Sequence, residues 1–132
     1  MDLKILATHP VQYHAPFFLT LVEKGIEIDV RYYHQGMAGR AALDRGFGIE
    51  IEWDLDLLGG YSNTICSHGR ADYSLAEQLR VLPCMLGWSL QNREVPLLLV
   101  GWSTEISWLI WMVRVLRRLR WTHLSRHKMG QK

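Results

Sequence analysis

The chain has 132 residues, 48% of them hydrophobic and 21% charged, with eleven Gly and four Pro. That length suits one domain able to bury roughly two-thirds of the surface of its unfolded form, and the composition excludes a disordered, collagen-like or linker chain. The net charge of +2 hides an asymmetry: residues 106–132 carry seven Lys and Arg and no acid, while residues 1–105 hold all thirteen Asp and Glu. A basic end of this kind suits an anionic partner such as phospholipid or nucleic acid. Cys66 and Cys84 are too few for a disulfide scaffold and lack CxxC spacing. The start, Met1-Asp2-Leu3-Lys4, leads into a short apolar run that stops at His9-Pro10, which is not a secretory pattern. A cytoplasmic protein with both thiols reduced is expected.

In chain order, residues 3–8 read as a strand, ended by His9-Pro10. Residues 16–24 read as a helix, with Pro16 in its first turn and Lys24-Gly25 as its stop. Ile26, Ile28, Val30 and Tyr32 alternate with polar residues, predicting a second strand over 26–33 and a β-α-β start. Residues 34–48, with four Gly, read as a long loop with a helical turn at 41–43, and loops of this length are often functional. Ile49, Ile51 and Trp53 alternate with Glu50 and Glu52, predicting a third strand over 49–53, and residues 57–61 read as a turn. Residues 71–93 have helical composition, with Pro83 and Gly87 expected to break them into two pieces. The apolar run 96–100 predicts a strand covered on both faces. Residues 103–120 read as a long helix capped by Ser103 or Thr104, and a last strand would start near Trp121. The alternation predicts an α/β protein with a parallel sheet, the domain occupying 1–125 and a polar basic tail 126–132.

The loop from His9 to Pro16 falls between the first strand and the first helix. In an open α/β sheet that is the carboxyl-edge crevice where ligands bind. His9, Gln12, Tyr13 and His14 supply donors, acceptors and a titratable proton there. The plainer reading is a turn shaped by Pro10 and Pro16 with solvated polar groups. No GxGxxG is present, so the dinucleotide fingerprint is absent. His9 and His14 lack a third ligand at metal spacing, so no metal is expected. Asp54 and Asp56 would share a face of a strand, and with Phe47, Trp53 and Tyr61 could hold a sugar. The plainer reading makes them loop acids and core aromatics. Trp111 stands with Arg114, Arg117 and Arg118 in the last helix, the pattern of an interfacial amphipathic helix on anionic lipid. The plainer reading is a buried crossover helix with a solvated basic end. Nucleic acid is not expected, because the aromatics lie among apolar residues.

The stretch Thr8-His9-Pro10-Val11-Gln12-Tyr13 with Pro16, then Asp44 with Gly46-Phe47-Gly48, then Trp53-Asp54, Leu57-Leu58 and Gly60-Tyr61, resembles the amino-terminal half of bacterial glycosyltransferases of the GT-B fold, family 4. Leu99-Val100-Gly101-Trp102-Ser103 extends the likeness, which covers residues 1 to about 103. The resemblance implies one Rossmann-like half of a GT-B enzyme, incomplete here, with the donor-binding half missing. It implies transfer of a sugar from a nucleotide-sugar donor to the hydroxyl of a saccharide or lipid-linked acceptor, without a bound metal or other cofactor. His9, Gln12, Tyr13, His14, Trp102 and Ser103 become the expected acceptor and phosphate contacts. Val100 stands where relatives often carry His before Gly-Trp, and no general base is assigned. The isolated chain is expected to be inactive, in the cytoplasm or peripheral at the inner face of the cell membrane. The alternative is a non-enzymatic α/β binding module attached to a membrane or partner by its basic, Trp-rich helix.

Overall fold

The computed structural model describes residues 1–36, 42–44, 49–51, 55–68, 73–101, 108 and 111–118. Strand β1 is Leu3–Ala7, helix α1 is His14–Glu23 and strand β2 is Ile28–His34. Short strands β3 (Ala42–Asp44) and β4 (Ile49–Ile51) follow, then β5 (Ser62–Ser67). A helical arm runs from α2 (Leu75–Leu82) through a π-helical turn (Pro83–Gly87) into α3 (Trp88–Leu90). Strand β6 is Leu97–Val100, and residues 111–118 form helix α4, with Trp108 also helical.

Strands β1, β2, β5 and β6 form one parallel sheet in the order β5-β2-β1-β6. The chain is an α/β protein. Its two central strands are buried along almost their whole length because helices cover both faces. On one face Ile5, Ala7, Val30 and Tyr32 pack on Phe18 and Leu21 of α1. Burying the Phe18 ring there stabilises by about 2 kcal/mol. On the other face Leu6 and Tyr33 pack on Val81, Met85 and Trp88 of the helical arm and on Met112 of α4. The path runs outward from β1 through β2 to β5, then returns to add β6 on the other side of β1. The topological switch therefore lies between β1 and β6, and it marks the carboxyl edge as the place for a site.

The arm's face also buries charge. Lys4 is 1% exposed, and its Nζ donates to Trp88 O at 2.8 Å and to Gln91 O. Trp88 Nε1 donates to Asp29 Oδ2 at 2.8 Å, and Ser62 Oγ donates to Asp29 Oδ1 at 3.1 Å. These groups sit at the amino ends of β1, β2 and β5, so they fasten the arm to the sheet away from the ligand edge. Burial, reinforced by Arg117, pushes the Lys4 ammonium below its ordinary value.

Several expectations are corrected. Residues 49–51 are a strand but not part of the parallel sheet: they pair antiparallel with 42–44, inside the stretch read as a loop. Alternation marks a half-covered strand without naming its partner. The third parallel neighbour is Ser62–Ser67, which went unread because this edge strand is mostly polar. Helix α1 starts at His14, not Pro16, because the turn at Gln12-Tyr13 brings His14 N and Ala15 N onto Val11 O at 3.0 and 3.4 Å. It stops as expected, with Gly25 N on Val22 O and Ile26 N on Leu21 O closing the end. The arm begins at Leu75, capped by Ser74, whose Oγ accepts from Glu77 N at 3.2 Å. Pro83 and Gly87 do not split it. They bound a widened π turn that runs on from α2 and into α3 without a break.

Cys66 and Cys84 are joined in a disulfide, which corrects the expectation of two reduced thiols. The partners are 18 residues apart and meet only because the arm lies back over β5. Disulfides persist in oxidising compartments, so the bridge removes the support that the thiol reading lent to a cytoplasmic location. Among the described residues no helix is long and apolar enough to cross a membrane. The helical cap at Ser103 or Thr104, the last strand near Trp121, the boundary at 125 and the tail 126–132 lie outside the described residues.

Candidate functional site at the carboxyl edge

Thr8 to Tyr13 leave the carboxyl end of β1, and His34-Gln35-Gly36 leave that of β2. His34 N–H donates to Thr8 O at 3.0 Å, so the two exits run side by side. A cavity of about 360 Å³ opens there, lined by His9, Pro10, Val11, Gln12 and Tyr13 from the first exit, His34 and Gly36 from the second, and Leu57. A second cavity of about 440 Å³ lies at the amino ends of the strands, beside Met1, Ile28 and Ser62. Open parallel sheets bind at their carboxyl ends, so the first is the candidate site.

His9 and His34 stack with ring centroids 5.0 Å apart and planes inclined by 20°. Gly36 N–H donates to His34 Nδ1 at 2.9 Å. An accepting Nδ1 leaves the proton on Nε2, which therefore donates to Tyr73 Oη at 2.9 Å. Tyr73 N–H in turn donates to Glu77 Oε2 at 2.9 Å, and Ser67 Oγ donates to Glu77 Oε1 at 2.8 Å. The start of α2 and the end of β5 thus hold one face of the imidazole stack. On the other side His9 lines the cavity, with its Nδ1 buried and without a hydrogen-bond partner. Gly36 has φ +61°, where an L side chain is strained, and a Cβ there would stand 3.0 Å from His9 Cβ, so glycine favours this close approach of the two exits.

Burial holds the His9 and His34 imidazoles below their ordinary value of 6.5, and His9 adds repulsion at His34 against a weaker pull from Glu77. His14 is lowered for the same two reasons, burial first and His9 second. All three are neutral at pH 7. The lining combines neutral imidazoles, an amide at Gln12, apolar walls from Pro10, Val11 and Leu57, and the exposed ring of Tyr13 at the rim. That chemistry suits an uncharged, hydroxyl-bearing ring: donors and acceptors for hydroxyls, aromatic and apolar surface for the ring face.

Of the residues expected at the site, His9, Gln12 and Tyr13 line the cavity together. His14 does not. It opens α1 and turns its ring to Phe18, with centroids 5.8 Å apart. Trp102 and Ser103 lie outside the described residues. Gly101, just before them, has φ +65°, and a Cβ there would meet Thr8 Oγ1 at 2.8 Å, so the β6 exit passes against the β1 exit. His34, Gly36 and Leu57 were missed. The signal for His34 and Gly36 was a polar His-Gln-Gly directly after a strand, the same grammar as Thr8-His9-Pro10.

The other motifs separate cleanly. Asp56 Oδ1 accepts from Leu58 N at 3.1 Å and Gly59 N at 2.9 Å, so it shapes a turn. Tyr61 bonds Tyr32 Oη at 2.8 Å and packs edge-on to Phe18, a core anchor. Phe47, Trp53 and Asp54 lie outside the described residues. Among the described residues no group of three or more His, Cys, Asp or Glu is placed to hold a metal ion. Trp111, Arg114 and Arg118 are exposed on α4. Arg117 turns inward and donates to Ser89 O, to Arg93 O at 3.0 Å and to Val95 O at 2.7 Å, so it is removed from the lipid-facing set. No family model, curated protein or solved structure matches this chain.

Proposed function

We propose that the chain is the acceptor-side, Rossmann-like domain of a GT-B glycosyltransferase of the family 4 type. The carboxyl-edge cavity then holds the sugar acceptor. The observation that carries this reading is the position of one loop: His9, Gln12 and Tyr13, from the stretch that resembles the family, line a neutral cavity at the carboxyl edge of a parallel sheet. In the reaction an acceptor hydroxyl attacks the anomeric carbon of a nucleotide-activated sugar, the bond to the diphosphate breaks, and the hydroxyl proton is lost. His9 and Gln12 would orient the acceptor, with Tyr13 against its ring. Charge building on the leaving diphosphate would be met by helix N-termini and basic groups of a donor-binding domain. The described residues supply one such sheet, and donor and acceptor must be held together for an effective molarity of about 10⁵ M or more.

Saccharide and lipid-linked acceptors are titrated into the purified chain and followed by saturation-transfer NMR, with nucleotide-sugar turnover measured alongside. Acceptor binding that weakens about tenfold in His9→Ala and Gln12→Ala, with no release of nucleoside diphosphate by the chain alone, supports the reading. Absence of any saccharide binding, or binding indifferent to both substitutions, defeats it. Turnover by the chain alone would mean that a second copy or an unrecognised donor site supplies the other half.

A further inference from the structure

We propose that α2 and α4 together form a flat docking face for an anionic phospholipid bilayer. This rests on observations independent of the glycosyltransferase reading. Two contacts fix how the helices lie. Trp108 Nε1 donates to Gln78 Oε1 near the start of α2, and Arg117 donates to Ser89 O in α3. Both helices therefore run side by side in the same direction on one face of the sheet. The sheet side of this layer is Val81, Met85, Trp88 and Val113, all buried. The opposite side should be polar on a solvated helix layer. Here it is not: Leu75 is 67% exposed, Leu79 54%, Trp108 37% and Trp111 65%.

The charge around these four residues selects the occupant. Arg114 and Arg118 are exposed one and two turns beyond Trp111, and neither has an ion-pair partner among the described residues. Glu77, the acid of α2, is buried against Ser67 and Tyr73. From residue 106 onward the sequence carries seven basic residues and no acid. Exposed apolar side chains and two indoles on one helix layer, bordered by guanidinium groups without an ion-pair partner among the described residues, match the interface of an anionic leaflet: rings at headgroup depth, Arg on lipid phosphate. A protein partner would need acids shaped to these two Arg, whereas a bilayer presents phosphate over the whole plane. Leu75 lies two residues beyond Tyr73, whose hydroxyl holds His34 in the cavity wall, so this end of the face adjoins the site.

The test is flotation of the full chain with vesicles of phosphatidylcholine alone or mixed with phosphatidylglycerol. We expect binding to the mixed vesicles, little to the neutral ones, and loss in 0.5 M salt. Arg114→Gln with Arg118→Gln should weaken binding about thirtyfold, two headgroup-level charges being removed. Leu79→Ser with Trp111→Ser should weaken it about tenfold or more, and circular dichroism melts of both variants keep folding separate from binding. Equal flotation with both vesicle types, unchanged binding by both double variants, or none by the parent chain overturns the proposal. So does a lipid-independent dimer in sedimentation analysis that Leu79→Ser with Trp111→Ser dissolves, which would assign the face to a second copy.

Discussion

The imidazole of His34 lies parallel to that of His9, with centroids 5.0 Å apart, and the proton of His34 is fixed on Nε2 by the Gly36 N–H at its other nitrogen. A second proton on His34 would displace that N–H, and a second proton on His9 would sit at a buried Nδ1 with no acceptor. The stack is built for the neutral state on both sides.

Stability should therefore fall on acidification. The His9, His14 and His34 pKa values are below their ordinary 6.5 in the fold, so the unfolded chain binds more protons as pH drops through that value. Their contribution is complete above about pH 6.5 and is lost as pH falls from there toward the folded values. Urea unfolding between pH 8 and 5 should show a steady loss of stability below pH 6.5. His9→Phe with His34→Phe should flatten that slope, and an unchanged slope would show that the stack does not titrate with folding.

Gly36→Ala should cost about 1–2 kcal/mol, because an L side chain at φ +61° is strained and its Cβ presses on His9. The more telling readout is local: the His9 ring resonances should shift while those of the Phe18 core stay in place. Retained His9 shifts with full stability would mean that the two exits are farther apart than described.

Arg117 and Arg118 are neighbours in sequence with different jobs. Arg117→Gln leaves the carbonyls of Ser89, Arg93 and Val95 short of a donor and should lower stability by about 1–3 kcal/mol. Arg118→Gln, on the exposed side of α4, should stay within about 0.5 kcal/mol. Paired denaturation curves decide this, and equal effects would reject the inward placement of Arg117.

Reducing the Cys66–Cys84 bridge, which spans 18 residues, should lower stability by about 3 kcal/mol, since it releases a loop of that size in the unfolded chain. Thiol titration under denaturing conditions checks the bond itself. Two free thiols in protein purified without reductant would remove the bridge and this prediction with it.

The sequence by itself determined the β-α-β start, a strand at 97–100, though as a half-buried edge strand rather than one covered on both faces, and the sheet edge to which the His9 to Tyr13 loop runs. Each was written in local patterns: alternation in Ile28 to Tyr32, a Gly25 stop after α1, and a polar loop after each strand. It also held an unread sign in Ser74-Leu75-Ala76-Glu77, the cap that opens α2. Tertiary structure alone decided strand partnership. Ile49–Ile51 carries the better strand pattern, yet the polar Ser62–Ser67 joins the parallel sheet, because an edge strand needs a hydrogen-bonding neighbour more than an apolar face. It likewise decided that His34 rather than His14 faces the cavity, that Arg117 points inward, and that Cys66 meets Cys84. Those pairings link residues 18 to 28 positions apart: His9 meets His34 because β1 and β2 pair in parallel, and the other two depend on how the helical arm and α4 fold back on the sheet, which no local period records.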